Sequence, residues 1–257
     1  MPEGRDRPIE SMEAAATERE ALSLPPQHFY RTAALPCPYL GGRVERKLVT
    51  ELVGRGAHDF YNLLSRAGFR RSHNLAYRPA CAGCAACLPV RILADDFVNS
   101  RSLKRIRSLN RDLRVRGIAP TATLEQYRLF LRYQRSRHAD SDMAAMTYGD
   151  YRSMIEESPV STCLIELRDE TGVLCGCCLL DALDDGLSAV YSFYDPNEPK
   201  RSLGTFLVLA LIDEARRQSL PYVYLGYWIG DSAKMAYKAR FRPLEGLESG
   251  TWHRIAG

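Results

Sequence analysis

The sequence predicts an α+β fold, in which a mixed sheet with flanking helices is joined to a smaller N-terminal region containing a cysteine cluster. Three observations carry this reading. Apolar runs at 162–168, 173–183 and 187–194 follow one another closely, with Gly186 at the last turn, as in an antiparallel meander. The third run stops at Asp195-Pro196, and after Pro199 a periodic helix opens, with Leu203, Phe206, Leu207, Ala210 and Leu211 at steps of three and four. A further strand at 222–226 follows that helix.

In chain order, residues 1–26 hold Glu, Arg, Ala and Pro without aromatics, so they read as a mobile tail. An N-terminal region then spans 27–98. Pro36-Cys37-Pro38-Tyr39 makes a rigid loop, 46–53 a strand, 59–66 a helix closed by Gly68, and 75–78 a strand. The C-terminal domain is expected over 99–257. It opens with 100–116, a basic helix with seven Lys/Arg and one Asp, on which Lys104, Arg107, Arg111 and Arg114 share a face. Thr123 with Gln126 forms a capping box for a helix at 124–137, whose end carries Arg132, Arg135, Arg137 and His138. A second helix spans 148–157. A short helix at 232–240 places Lys234 and Lys238 on one face beside Tyr237. Beyond Pro243 no element is read.

The chain has 257 residues, a net charge of +4 and 46% hydrophobic residues, enough for sizeable cores. No apolar run approaches the ~20 residues of a membrane span, and the N-terminus lacks a signal-peptide core, so a cytoplasmic protein is expected. The eight cysteines are then expected reduced. Cys81, Cys84 and Cys87 form two overlapping CxxC units, and Cys37 supplies a possible fourth thiol, a local clustering that suits zinc or an iron–sulfur cluster. The alternative is small thiols tightening a loop. Cys163, Cys175, Cys177 and Cys178 lie in strand-like runs and read as core.

The organising stretch is the end of the third strand and the loop after it. Tyr191, Tyr194 and Asp195 lead into Arg201, Ser202 and Gly204 at a helix start, where first-turn N–H groups lack partners and attract anions. Ser202 is expected to cap that turn. The basic stretch at 100–116 favours a nucleic-acid partner, because phosphate contacts give sequence-independent affinity.

This layout resembles the acyltransferases related to Gcn5, whose corresponding loop holds the pyrophosphate of coenzyme A. Arg201 and Gly204 keep that pattern; Phe206 stands where a small residue is needed. More closely, Cys37-Pro-Tyr-Leu40, Gly68-Phe-Arg-Arg-Ser72, Tyr77-Arg-Pro79, Pro89-Val-Arg91, Arg201-Ser-Leu-Gly204, Tyr224-Leu-Gly-Tyr-Trp-Ile229 and Lys234-Met-Ala-Tyr-Lys238 resemble the bacterial aspartate/glutamate leucyltransferases, relatives of eukaryotic arginyl-tRNA–protein transferase. The resemblance runs from about Phe29 to Trp252. It implies transfer of leucine from leucyl-tRNA to proteins with N-terminal Asp or Glu, marking them for degradation, with neither a membrane nor DNA as partner. Arginyl transfer, a coenzyme-A-dependent acetyltransferase and a non-catalytic tRNA-binding protein are the alternatives.

On this reading Asp195 orients or deprotonates the attacking amine, while Tyr194, Tyr227 or Tyr237 donates to the oxyanion or the leaving ribose hydroxyl. Arg201, Ser202, Gly204, Lys234 and Lys238 would hold the tRNA 3′ end, and Lys104, Arg107 and Arg111 the acceptor stem. A fixed cation for the acidic N-terminus is expected at Arg70 or Arg71, or at Arg137 and His138. The relatives' N-terminal cysteines extend to Cys37, Cys81, Cys84 and Cys87 as metal ligands.

Overall fold

A computed structural model describes residues 27–255. The tail expected at 1–26 lies outside the described residues. Two sheets organise the chain. The smaller has the order β1 (Tyr30–Arg31), β4 (Lys47–Glu51), β6 (Leu75–Pro79) and β5 (Arg70–Ser72). Between them lie the β2 (Leu35–Pro36) and β3 (Val44–Glu45) ribbon and helix α1 (Ala57–Arg66). Leu52, Phe60, Tyr61, Leu64, Phe69 and Ala76 form its core and continue onto Leu183 and Tyr224 of the larger sheet.

The larger sheet begins with β7 (Leu88–Leu93), so the expected boundary at residue 98 does not separate the two sheets. β7 is an apolar six-residue run that two neighbours sandwich, β12 on one side and β13 on the other. Then come α2 (Arg101–Leu109), β8 (Arg114–Ile118), α3 (Leu124–Arg137), α4 (Tyr148–Glu156), β9 (Thr162–Arg168), β10 (Leu174–Leu183), β11 (Gly186–Tyr194), α5 (Leu203–Arg217), β12 (Tyr222–Trp228), β13 (Leu244–Glu248) and β14 (Thr251–Arg254). The eight strands lie in the order β14-β13-β7-β12-β11-β10-β9-β8. β9 to β11 form the expected antiparallel meander, which β8 extends at its edge. α5 carries the chain across to β12, which pairs with β11 in parallel, as a helical crossover dictates.

The helices cover both faces. α5 and α2 bury Leu103, Ile106, Leu207 and Leu211 against one. On the other, α3 and α4 bury Leu129, Phe130, Tyr151 and Ile155, beside the N-terminal module. Thr123 and Gln126 form the expected capping box.

Three local expectations are corrected. The basic stretch is not one helix: Asn110 donates its side-chain N–H to Ile106 O and Arg201 O, ending α2, and Arg114 and Arg116 lie on the edge strand β8. The segment 232–240 is only a 3₁₀ turn at Ala236–Arg240. The end of the chain forms the β13–β14 hairpin, where Arg91 stacks between Tyr222 and Trp252 and pairs with Glu245.

Candidate active site

The parallel pairing of β11 and β12 is short. It joins Gly186, Leu187 and Ser188 to Tyr222, Val223 and Tyr224, and then the strands part. β12 bulges against β7 between Tyr224 and Gly226, with Gly226 at φ 78°. Beyond the fork Ala189, Val190, Tyr191 and Ser192 are only half-buried, although they belong to an inner strand of the sheet. An inner strand reached by solvent at its middle is a cleft, and its carbonyl groups need partners other than a strand.

Two cations supply those partners. Arg70 donates from Nη1 to Ser188 Oγ at 2.9 Å and from Nη2 to Ala189 O. Lys238 donates from Nζ to Leu225 O at 2.8 Å and Tyr227 O at 2.5 Å. Lys238 is buried, and burial together with the Arg70 charge lowers its ammonium to about 7. The sequence pattern places Lys238 on the tRNA 3′ end; the structure corrects this, because a buried ammonium tied to two carbonyls has left the surface. Gly226 is needed here for a second reason: a Cβ would stand 3.0 Å from Arg70 Nε.

The cleft runs on to the end of β11. Tyr194 packs edge-on to Tyr133 of α3, with ring centroids 4.9 Å apart, and Tyr133 packs on His138. Tyr237 keeps part of its ring exposed, while burial of its hydroxyl, then Cys178 and Tyr194, push its phenol up to about 12 against the opposing pull of Arg70. Asp195, half-buried, accepts from Asn197 N–H at 2.9 Å and faces Arg132 at 3.7 Å. Tyr194 and Asp195 close the β11 end of this stretch, and Arg70 stands at its fork end. Tyr227 does not join them as a donor: its hydroxyl lies 3.0 Å from Gly68 O and 3.1 Å from Tyr77 O, linking the two sheets, and burial raises its phenol pKa. One phenolic proton between two carbonyls leaves none for a substrate.

The Arg201 loop is also reassigned. Arg201 donates from Nε to Asn110 Oδ1 at 3.0 Å and closes on Asp112 at 2.6 and 2.8 Å, clipping the loop to the end of α2. Ser202 sits at the start of α5 in the left-handed region (φ 53°) with no side-chain cap bond, contrary to expectation. A Cβ on Gly204 would lie 2.7 Å from Tyr194 Cε1, so the glycine admits the tyrosine ring rather than a pyrophosphate. Arg107, expected to face an acceptor stem, pairs with Asp213 at 2.5 and 2.8 Å.

Arg71, the expected partner of an acidic N-terminus, is enclosed by Asp181 and gives its remaining hydrogen bond to His73 O at 2.9 Å. Asp181 also accepts from Thr162 Oγ1 at 3.0 Å. Neighbours on a strand face opposite sides, which sends Arg71 into the core and Arg70 to the fork. Lys104, Arg111, Arg137, His138 and Lys234 are exposed. Burial and the charges of Lys234 and Arg137 lower the His138 pKa, which places those cations together.

Sequence reasoning missed Tyr133, Asp112 and Asp181. Asp181 had a signal, being the one charged residue in the apolar strand β10. Tyr133 had none.

The four cysteines line one cavity of about 80 Å³ together with Tyr39, Lys47, Tyr77 and Tyr227. Four thiols are suitable donors for zinc or an iron–sulfur cluster. As placed they do not close around one: among the described residues no three His, Cys, Asp or Glu side chains gather in metal-holding geometry. Cys84 instead accepts from Arg43 Nη1 at 3.3 Å, and Cys81 from Arg46 N at 3.4 Å. Burial, then the neighbouring thiols, push Cys87 up to about 11.

Comparison with known proteins decides the family. Residues 35–105 match the N-terminal part, and 125–248 the C-terminal part, of the arginine-tRNA-protein transferases. The chain belongs to the arginine-tRNA-protein transferase family. A relative from Paramagnetospirillum magneticum named aspartate/glutamate leucyltransferase is 56% identical over 231 residues, covering 90% of this chain and 95% of its own. One from Rhodospirillum rubrum with the same name is 53% identical over 221 residues, covering 86% and 90%. Among solved structures FemX superposes with a TM-score of 0.45 at 9% identity, over 74% of this chain and 65% of its own. No helix among the described residues is long and apolar enough to cross a membrane.

Proposed function

We propose that the chain transfers leucine from leucyl-tRNA to the α-amine of proteins beginning with Asp or Glu, marking them for degradation. Identity above 50% to leucyltransferases over nine-tenths of the chain is the observation that carries this reading. The aminoacyl ester arrives activated. The amine nitrogen forms a bond to the leucyl carbonyl carbon, the ester C–O bond breaks, and the amine proton passes to the leaving ribose oxygen. With an α-amine pKa of about 7.7–8.0, roughly a tenth to a fifth is neutral at pH 7, so orientation and oxyanion stabilisation outweigh a base.

On this reading Asp195 orients the attacking amine, and Tyr194 or Tyr237 donates to the developing oxyanion. The tRNA suits the exposed cations around the cleft mouth, Arg137 and Lys234 beside the neutral His138, with Lys104 and Arg111 further out. The cytoplasm, where charged tRNA is made, is the fitting compartment.

A transfer assay with labelled leucyl-tRNA and arginyl-tRNA on peptides beginning with Asp, Glu or Ala tests this. Leucine appearing on the Asp and Glu peptides alone is the expected result. Arginine in its place changes the donor; tRNA binding without transfer of either label refutes the reading. Coenzyme A is disfavoured as donor because Tyr194 fills the space at Gly204 and Arg201 is closed on Asp112.

A further inference from the structure

Arg70 and Lys238 form an unusual pair. They stand on opposite lips of the β11–β12 fork, one holding Ser188 and Ala189, the other Leu225 and Tyr227. Their partners are a hydroxyl and carbonyl oxygens; among the described residues neither makes an ion pair with an acid. The two charges feel one another, and Lys238 is almost wholly enclosed. Buried cations are normally paired, and the other arginine on this strand, Arg71, has Asp181. Carbonyl dipoles satisfy the N–H groups but cancel no net charge.

Arg70 keeps its charge with no counter-charge beside it, and Lys238 behind it has none either, so the wedge has an unfilled electrostatic requirement. The carbonyl contacts use only part of the five-donor guanidinium fork, which leaves donors for a carboxylate. The wedge is also reachable, since Ala189 to Ser192 are half-buried beside it and Tyr237 at its edge is 40% exposed. Arg70 itself is held firmly: β5 pairs with β6, and the buried Arg71–Asp181 bond pins the next residue to β10.

We propose that this wedge is the pocket for the acidic side chain of the acceptor's N-terminal residue. Arg70 contacts the carboxylate, and Lys238 is a positioning residue that holds the β12 lip open and sets the potential behind it. The inference rests on the acceptor class given above and deepens it by assigning the pocket. Glu and Asp are then accepted, and their amides rejected, because an amide leaves the Arg70 charge uncompensated. Tyr194 lies further along the same strand, beyond the half-buried stretch Ala189 to Ser192.

The test is the ratio of kcat/KM for peptides beginning with Asp and with Asn, measured with leucyl-tRNA in the full-length protein. Arg70→Gln is expected to narrow that ratio roughly 10- to 100-fold, the range of one charge-assisted contact, through KM for the Asp peptide. Arg70→Lys recovers only part of it, lacking the fork. Lys238→Met narrows the ratio further in the same sense if it folds; if it does not, the Arg70 variants decide alone. Leucyl-tRNA binding stays unchanged in all. An unchanged Asp-to-Asn ratio in Arg70→Gln overturns the inference, as does an equal fall on both peptides, which would place Arg70 in the shared chemistry. Wild-type protein that transfers to neither Asp nor Glu refutes the function itself.

Discussion

Arg71 donates from Nε and Nη2 to the two carboxylate oxygens of Asp181 at 2.8 and 2.7 Å, with both side chains shut away from solvent. The bond spans 110 residues of sequence and fastens β5 of the N-terminal module to β10 of the main sheet. It is a structural clamp, and its neighbour Arg70 owes its place at the fork to it.

Removing one partner of that clamp strands a buried charge. Asp181→Asn or Arg71→Met is expected to destabilise the protein by about 3–5 kcal/mol in urea unfolding, while the double variant costs clearly less than the sum. Additive costs would show that the two groups are not coupled.

Gly204→Ala tests the close approach of Tyr194. A Cβ 2.7 Å from the ring forces the tyrosine to move, at about 1–3 kcal/mol of stability, and transfer is expected to fall with it. Retained activity together with unchanged stability would mean that the ring has room to swing.

The buried Lys238 gives a pH signature of definite sign. Its pKa falls from the ordinary 10.5 to about 7 on folding, because burial and then Arg70 penalise the ammonium. Between those values the unfolded chain binds more protons, so this group makes the protein more stable as pH rises from about 7 toward 10. Wild-type stability relative to Lys238→Met should therefore increase over that window. A flat difference from pH 7 to 9 would show an ordinary lysine.

Exposed and paired cations should differ in tRNA binding. Neutralising Lys234 or Arg137 is expected to lower the slope of log K against log salt by about 0.7–0.9 for each phosphate left without its cation. Arg201→Ala should leave the slope unchanged, because Asp112 holds that guanidinium, and should instead lower thermal stability. Equal slope changes for all three would return Arg201 to the RNA surface.

Cysteine reactivity separates the thiols of the 81–87 loop. Backbone N–H bonding at Ala86 and the Arg43 contact lower the Cys84 pKa, whereas burial raises Cys87 to about 11. In chelator-treated protein, iodoacetamide at pH 8 should label Cys84 first by peptide mass mapping. Protection of all four thiols before chelation and release after it would instead establish a metal site there.

The site was partly legible in sequence. Tyr194, Asp195 and Gly204 cluster around one strand end in the structure as their spacing suggested, since strand, turn and helix signals are local. Arg201 and Arg71 stood out as cations, but whether an arginine meets a substrate or an aspartate depends on residues 89 and 110 positions away. Lys238 was read from its spacing to Lys234 on a helix that does not form.

The sequence by itself determined the meander, the periodic helix α5, the capping box at Thr123, the cysteine cluster and the family, because each rests on local periodicity or on short contiguous motifs. Tertiary structure alone decided that β7 enters the large sheet, that β11 and β12 part after Ser188, and that Arg70 and Lys238 fill the gap while Arg71 is neutralised. Charge compensation is a property of who is near in space, and these pairs meet only once the sheet has closed.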